Sequence, residues 1–313
     1  MSSTSSSSGT NAHLCVMSVV PKLRTKKANL SLAFGNFDED APWVTTMISP
    51  AAYLMNETDP SPQTQIKGWS TSLNFRDDMH NLYVQGFCSD VIANSIADVL
   101  FDGLLGYGLD DNMILKILTA EFKQWCKDYR IPVSSFPRFT LRTIGLGNSK
   151  GDYPELSSKF KGAITKTLVM WLAHKMTTLC VGDSHSRLRT ACVCAMAQYT
   201  HILDHQPLVM SHQAAAEASK QARMCLRSYM NLATEARAQG KNRWKMCPKA
   251  HYWDHTARRI LQLRLNPRIL ANWHEESMLG KLKKLACHAQ LETPHSGSSN
   301  GISCMVVLGG DDL

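Results

Sequence analysis

The sequence predicts a mainly α-helical domain, bundle-like and with few short strands, between disordered N- and C-terminal tails. Three observations carry this. From residue 77 onward apolar side chains recur mostly at three- and four-residue steps, the spacing that lines one face of a helix. The periodic segments are long and are separated by turns marked with Gly, Pro or Asn, the residues that punctuate a chain. Hydrophobic residues make up 44% and charged residues 19% of the 313 positions, ordinary globular usage that excludes wholesale disorder and a collagen-like or coiled-coil fibre.

Residues 2–8 are Ser and Thr only, and 1–33 as a whole lacks any period, so this stretch reads as a flexible Ser-rich arm. Residues 34–74 are broken by Pro42, Pro50, Pro60 and Pro62 and carry Trp43 and Trp69 as packing anchors; loops are expected there. A helical domain is expected over 75–290. Its first helix is marked by Leu82, Val84, Phe87, Val91, Ile92, Ile96, Val99, Leu100 and Leu104, and ends at Gly106–Tyr107–Gly108. Asp111 reads as the N-cap of a second helix through Ile114, Leu118, Phe122 and Trp125, stopped by Pro132. Residues 139–146, FTLRTIGL, mix β-branched and aromatic residues ahead of a Gly-rich turn and predict a strand. Helices follow over 157–181, 184–204 and 211–239. A short extended piece precedes Pro248, a helix runs to about 265, Asn266–Pro267 marks a turn, and a last helix starts near 274. Residues 291–313 read as a disordered tail.

The net charge is +8 with a pI near 9.0 and a mean hydropathy of −0.21, which favours polyanionic partners such as nucleic acid. The charge is concentrated. Twelve Lys and Arg fall in 220–268 against Glu235 and Asp254 alone, with Trp244, Tyr252 and Trp253 interleaved. Phosphate neutralisation and aromatic stacking are both physically available to such a stretch, through Arg237, Lys241, Arg243, Lys245, Lys249, Arg258 and Arg259; a solvated helix face is the plainer alternative. No window reaches the roughly 18 consecutive apolar residues of a membrane helix. The N-terminus has no charged region followed by a long apolar run, so the ten cysteines read as reduced thiols.

His251 and His255, like His201 and His205, lie four apart on expected helices, a spacing that lets zinc bridge two imidazoles. Two ligands do not make a site, no C-x-x-C occurs, and Cys192-x-Cys194 is too tight for a zinc knuckle; buried structural thiols and histidines are the simpler reading. Gly145, Gly147 and Gly151 miss both nucleotide-loop spacings. Carboxylates open two of the expected helices, Asp77–Asp78 and Glu275–Glu276, where they offset the positive end of the helix dipole.

Taken together, three pieces resemble a known family. Asp77-x-x-His80–Asn81–Leu82 with Gly86 looks like the D-x-x-H motif of CACTA-type and related DDE transposases. Pro248–Lys249-x-His251 with His255 is similar to their P-K-x-H stretch. Glu276 with Gly280, Lys281 and Lys283 fits the context of their catalytic glutamate. Tyr153–Pro154–Glu155–Leu156 through Lys161 also looks like transposon-derived proteins. The likeness covers about residues 75–290. It implies the helical insertion of an RNase H-like transposase plus the helix returning to the sheet, with Glu276 as the inherited metal-binding carboxylate for Mg2+ or Mn2+.

Strands carrying the first two catalytic Asp are not recognisable; Asp38 and Asp40 are upstream acidic candidates without an alternating pattern around them. A two-metal site holds its ions about 4 Å apart between several ligands, so Glu276 alone does not assemble one. The expectation is therefore a transposase-derived DNA-binding protein without strand transfer, intracellular and nuclear. Two alternatives stand beside it: a helical interaction scaffold without chemistry, and a zinc-stabilised domain using His251, His255 and some of Cys225, Cys247 and Cys287.

Overall fold

Phe87, Val91, Ile92, Ile96 and Val99 repeat at helical spacing because they belong to a helix with no free side: all five are buried, as expected when apolar residues extend around the axis. In the computed structural model, described for residues 36–38, 40, 41, 44, 80–106, 108–132, 136–147, 153–270, 278 and 282, this element is α1, Cys88–Phe101, continuous with a wider π-helical segment, His80–Phe87. The helices that follow are α2, Asp111–Asp128; α3, Gly162–Thr178; α4, Ser184–His205; α5, His212–Ala238; and α6, Pro248–Leu263, with a 3-10 turn at Pro267–Leu270. Residues 272–313 form a second unit, in which Met278 and Leu282 are helical.

The expected all-helical class is observed. Among the described residues no strand occurs, and the only bridge pairs Val209 with Leu265. Helices α3 to α6 pack as successive neighbours, while α1 lies against α3 and α4, and the π segment against α3 and α6. Two aromatic clusters mark the core. Tyr83 and Phe87 meet Tyr199, Tyr229 and Trp253 at ring distances of 4.7–5.1 Å, and Tyr199 meets Trp253 at 5.3 Å. Phe122 meets Phe136 and Trp171, at 4.4 and 5.4 Å, and Phe139 packs on Phe160 at 5.7 Å. Offset and edge-to-face pairs of this kind add to what area burial alone contributes.

Sequence punctuation explains most boundaries. Asp183 accepts from Ser186 N at 3.0 Å and Ser211 from Ala214 N at 3.1 Å, caps that satisfy otherwise orphaned amides; Pro248 opens α6, where its missing N–H is not needed. Three expectations change. The N-cap of α2 is Asp110, with Asp111 already helical. Residues 139–146 are a turn and not a strand: Thr140 accepts from Thr143 N through its hydroxyl at 3.1 Å and its carbonyl at 2.9 Å, so local side-chain bonding outcompetes the extended form. The helix expected from 157 starts at Gly162, because Ser157 N is spent on Thr143 O (2.9 Å) and Glu155 N on Ile144 O (3.2 Å). The Ser-rich arm, the tail and the expected helix start near 274 lie outside the described residues.

Candidate functional site

The apolar face of α1 is interrupted by Asn94, Ser95 and Asp98, all with no solvent exposure. A carboxylate in that position needs charged partners, since burying it alone costs several kcal/mol. Asp98 has four neighbours. Arg243 Nη1 lies 2.6 Å from its Oδ1; His185 Nε2, Trp244 Nε1 and Arg189 Nη1 lie 2.9, 3.2 and 3.8 Å from its Oδ2. Arg189, itself 1% exposed, also donates to Asp102 at 3.2 Å. His185 reaches across to Glu235 of α5, Nδ1 to Oε2 3.0 Å. The network is thus Asp98, Asp102 and Glu235 against Arg189, Arg243 and His185, a formally balanced set that ties α1, α4, α5 and the 239–247 connection together.

With a carboxylate oxygen at each ring nitrogen, His185 donates twice and is held as imidazolium. Its pKa is raised to about 8, chiefly by the bond to Asp98 and further by Glu235, against the opposing effect of burial. Beside this network, Asn94 accepts from Trp244 N at 2.6 Å and donates to Asp90 O and Pro154 O at 2.7 and 3.3 Å. Burial, with Glu155 nearby, pushes Asp90 up to about 7, and the Cys247 thiol lies 3.6 Å from it.

Asp98, Asp102 and His185 offer three ligand atoms within 4.8 Å of one another. The set does not fit a divalent cation as arranged: guanidinium nitrogens occupy both carboxylates, and both imidazole nitrogens are used as donors.

The residues singled out by sequence fall into three groups. Asp77 and Glu276 lie outside the described residues; His80 opens the π segment, and its side chain lies outside them too. His251 and His255 share one face of α6 as expected, but bond to each other, Nε2 to Nε2 3.1 Å; burial, then the neighbouring His251, pushes His255 down to about 3. Cys225 sits beside Cys192 at 3.5 Å in the core and Cys247 beside Asp90, so these thiols do not join the histidines and the zinc reading is not supported; Cys287 is outside the described residues. All seven described cysteines are free.

The basic stretch divides. Arg243 is spent on Asp98, and Arg258 on Asp254, with Nε to Oδ2 3.1 Å. Arg227 pairs with Asp38 at 3.7 Å, Lys220 with Glu217 at 3.5 Å and Arg268 with Asp204 at 3.8 Å. Arg259 is half-buried. Trp244 and Trp253 are buried and form no stacking platform, which corrects that part of the expectation. Asp38 serves as an anchor: its carbonyl accepts from Arg258 Nη2. By contrast Arg237, Lys241, Lys245 and Lys249 are exposed. Their backbone is held in place, since Tyr229 donates to Lys245 O at 2.9 Å and Asn94 fixes Trp244 N.

Between the end of α1, the turn before α4 and the end of α5 lies a cleft of about 530 Å³, with Asp102, Val181, Asp183, His185, Arg189 and Lys241 in its wall. Sequence reading missed both the network and the cleft. The available signal was the polar triplet Asn94, Ser95 and Asp98 inside an otherwise apolar helix.

No family model, curated protein or solved structure matches the chain. No helix among the described residues is long and apolar enough to cross a membrane.

Proposed function

We propose that the chain is a transposase-derived DNA-binding protein that grips the phosphate backbone through the α5–α6 connection and carries out no strand transfer. The observation that supports this is a division of labour among its cations. Lys220, Arg227, Arg243, Arg258 and Arg268 stand within 4 Å of carboxylates, whereas Arg237, Lys241, Lys245 and Lys249 are exposed, Lys245 and Lys249 feeling only the longer-range charge of Asp90. They run from the last turn of α5 to the first turn of α6 on a pinned backbone, so little ordering is needed on binding. The resemblance supplies Glu276 as a metal-binding carboxylate for Mg2+ or Mn2+; the proposal needs binding only. Nuclear localisation belongs to the same reading.

The test is titration of the full chain with labelled duplex DNA at two salt concentrations, with and without Mg2+ or Mn2+. Binding through four phosphates weakens with salt at a log–log slope of roughly −3 to −4. Absence of affinity at low salt contradicts the proposal. One observation favours a second reading, a helical interaction scaffold: Trp244 and Trp253 are buried, so neither ring is available to stack on a base. That scaffold would bind no DNA at either salt concentration.

A further inference from the structure

We infer that the cleft beside His185 is a phosphate-binding pocket. Arg189 stands in its wall with Nη1 committed to Asp102 and Asp98, but its Nε and Nη2 are buried without a hydrogen-bond partner. These two nitrogens form the side-on fork of the guanidinium, two near-parallel donors that match two oxygens of one phosphate. Buried donors with no acceptor are rare and costly, and a bound oxyanion satisfies both at once.

Two further cations face the same cleft. His185 is an imidazolium, and Lys241 is exposed with no carboxylate paired to it among the described residues. The two carboxylates in the wall are already engaged: Asp102 accepts from Arg189 at 3.2 Å, and Asp183 caps α4 through Ser186 N at 3.0 Å. The N-terminus of the 22-residue α4 adds the positive end of its dipole. About 530 Å³ is within the range of small-molecule sites. Lys241 makes the first contact; the fork itself is closed to solvent, so filling it requires Asp102 to release Arg189 Nη1 and His185 to release Asp98.

The phosphate belongs either to a free small ligand or to a nucleic-acid backbone, and the inference does not depend on the DNA reading. The experiment is thermal unfolding of the full chain in sodium phosphate against sodium chloride at matched ionic strength, pH 7. At ten times the dissociation constant, inorganic phosphate raises Tm by about 3 to 5 °C. Lys241→Ala loses at least about half of that gain, Arg189→Lys, which keeps the charge without the fork, loses it all, and Lys116→Ala on the exposed face of α2 keeps it. Should Arg189→Lys fail to fold, the Lys241→Ala comparison decides alone. A Tm no higher in phosphate than in chloride, or an equal gain in Lys241→Ala, overturns the inference. In a second arm, inorganic phosphate at matched ionic strength competes with labelled duplex if the source is a backbone phosphate, and leaves it bound if the source is a free ligand. A chain that gains Tm in phosphate yet binds no duplex retains the pocket and loses only the DNA reading.

Discussion

Arg243 Nη1 stands 2.6 Å from Oδ1 of Asp98, joining the connection between α5 and α6 to a fully buried carboxylate 145 residues earlier in the chain. The same guanidinium lies 4.5 Å from the centroid of the Phe101 ring, so both its charge and its flat face are used. This pairing fixes the segment on which the exposed cations sit. It also commits the charge of Arg243 to a carboxylate within the fold.

Asp98→Asn keeps the shape of the side chain and removes its charge, leaving Arg189 and Arg243 buried against Asp102 alone. The expected loss is about 3 to 5 kcal/mol, read by urea unfolding of the wild type and the variant. A loss below about 1 kcal/mol would show that the network is not what holds α1 to the 239–247 connection.

His185 makes stability depend on pH in a defined window. Its pKa is raised from 6.5 to about 8 in the folded chain, so the folded state holds the proton more tightly. The contribution is fully present below pH 6.5 and is lost as pH rises through about 8. Because His185 is partly exposed, the size is discounted for solvent screening to on the order of 1 kcal/mol. Unfolding free energies of the wild type minus His185→Gln, measured from about pH 6 to 9, should fall across that window. Asp90, raised to about 7, titrates inside the same window and Asp254, raised to about 6, at its lower edge; both are present in wild type and variant and cancel in the subtraction.

Asn94→Ala strips three bonds at once. Trp244 N–H, buried, loses its acceptor at 2.6 Å, and the carbonyls of Asp90 and Pro154 lose a shared donor. A buried unsatisfied amide costs about 1 to 3 kcal/mol, and the variant should lose at least that much. Hydrogen exchange at Trp244 N–H checks the cause: it should speed up in Asn94→Ala well beyond the change in global stability.

Gly145 and Gly182 both have positive φ, +81° and +88°, but only Gly145 faces a neighbour, since a Cβ there would meet Glu155 N at 2.6 Å. Gly145→Ala therefore combines left-handed strain with a clash against backbone, whereas Gly182→Ala carries the strain alone, about 1 kcal/mol. Paired denaturation curves should place Gly145→Ala clearly lower.

Much of this architecture is legible in the residues. Helices α4, α5 and α6 are bounded by Asp183, Ser211 and Pro248, cap and N1 residues whose effect is local. The strand at 139–146 misleads because its β-branched residues, Thr140 and Thr143, bond to each other across a turn, and propensity does not register a hydroxyl partner three residues away. The site is less legible than the fold. Asp98, His185, Arg189, Glu235 and Arg243 meet only through tertiary packing, and a count of basic residues cannot tell Arg243, buried in an ion pair, from the exposed Lys245 two residues on. Nor does aromatic content reveal that Trp244 and Trp253 are core residues.

The most direct measurement of the central proposal is the salt dependence of duplex binding by the full chain and by two variants, Lys245→Ala/Lys249→Ala and Lys116→Ala. The account predicts a wild-type log–log slope of roughly −3 to −4, reduced in magnitude by about 1.8 in the double variant and unchanged in Lys116→Ala. A wild-type chain that binds no duplex at low salt, or a slope indifferent to Lys245 and Lys249, would contradict it.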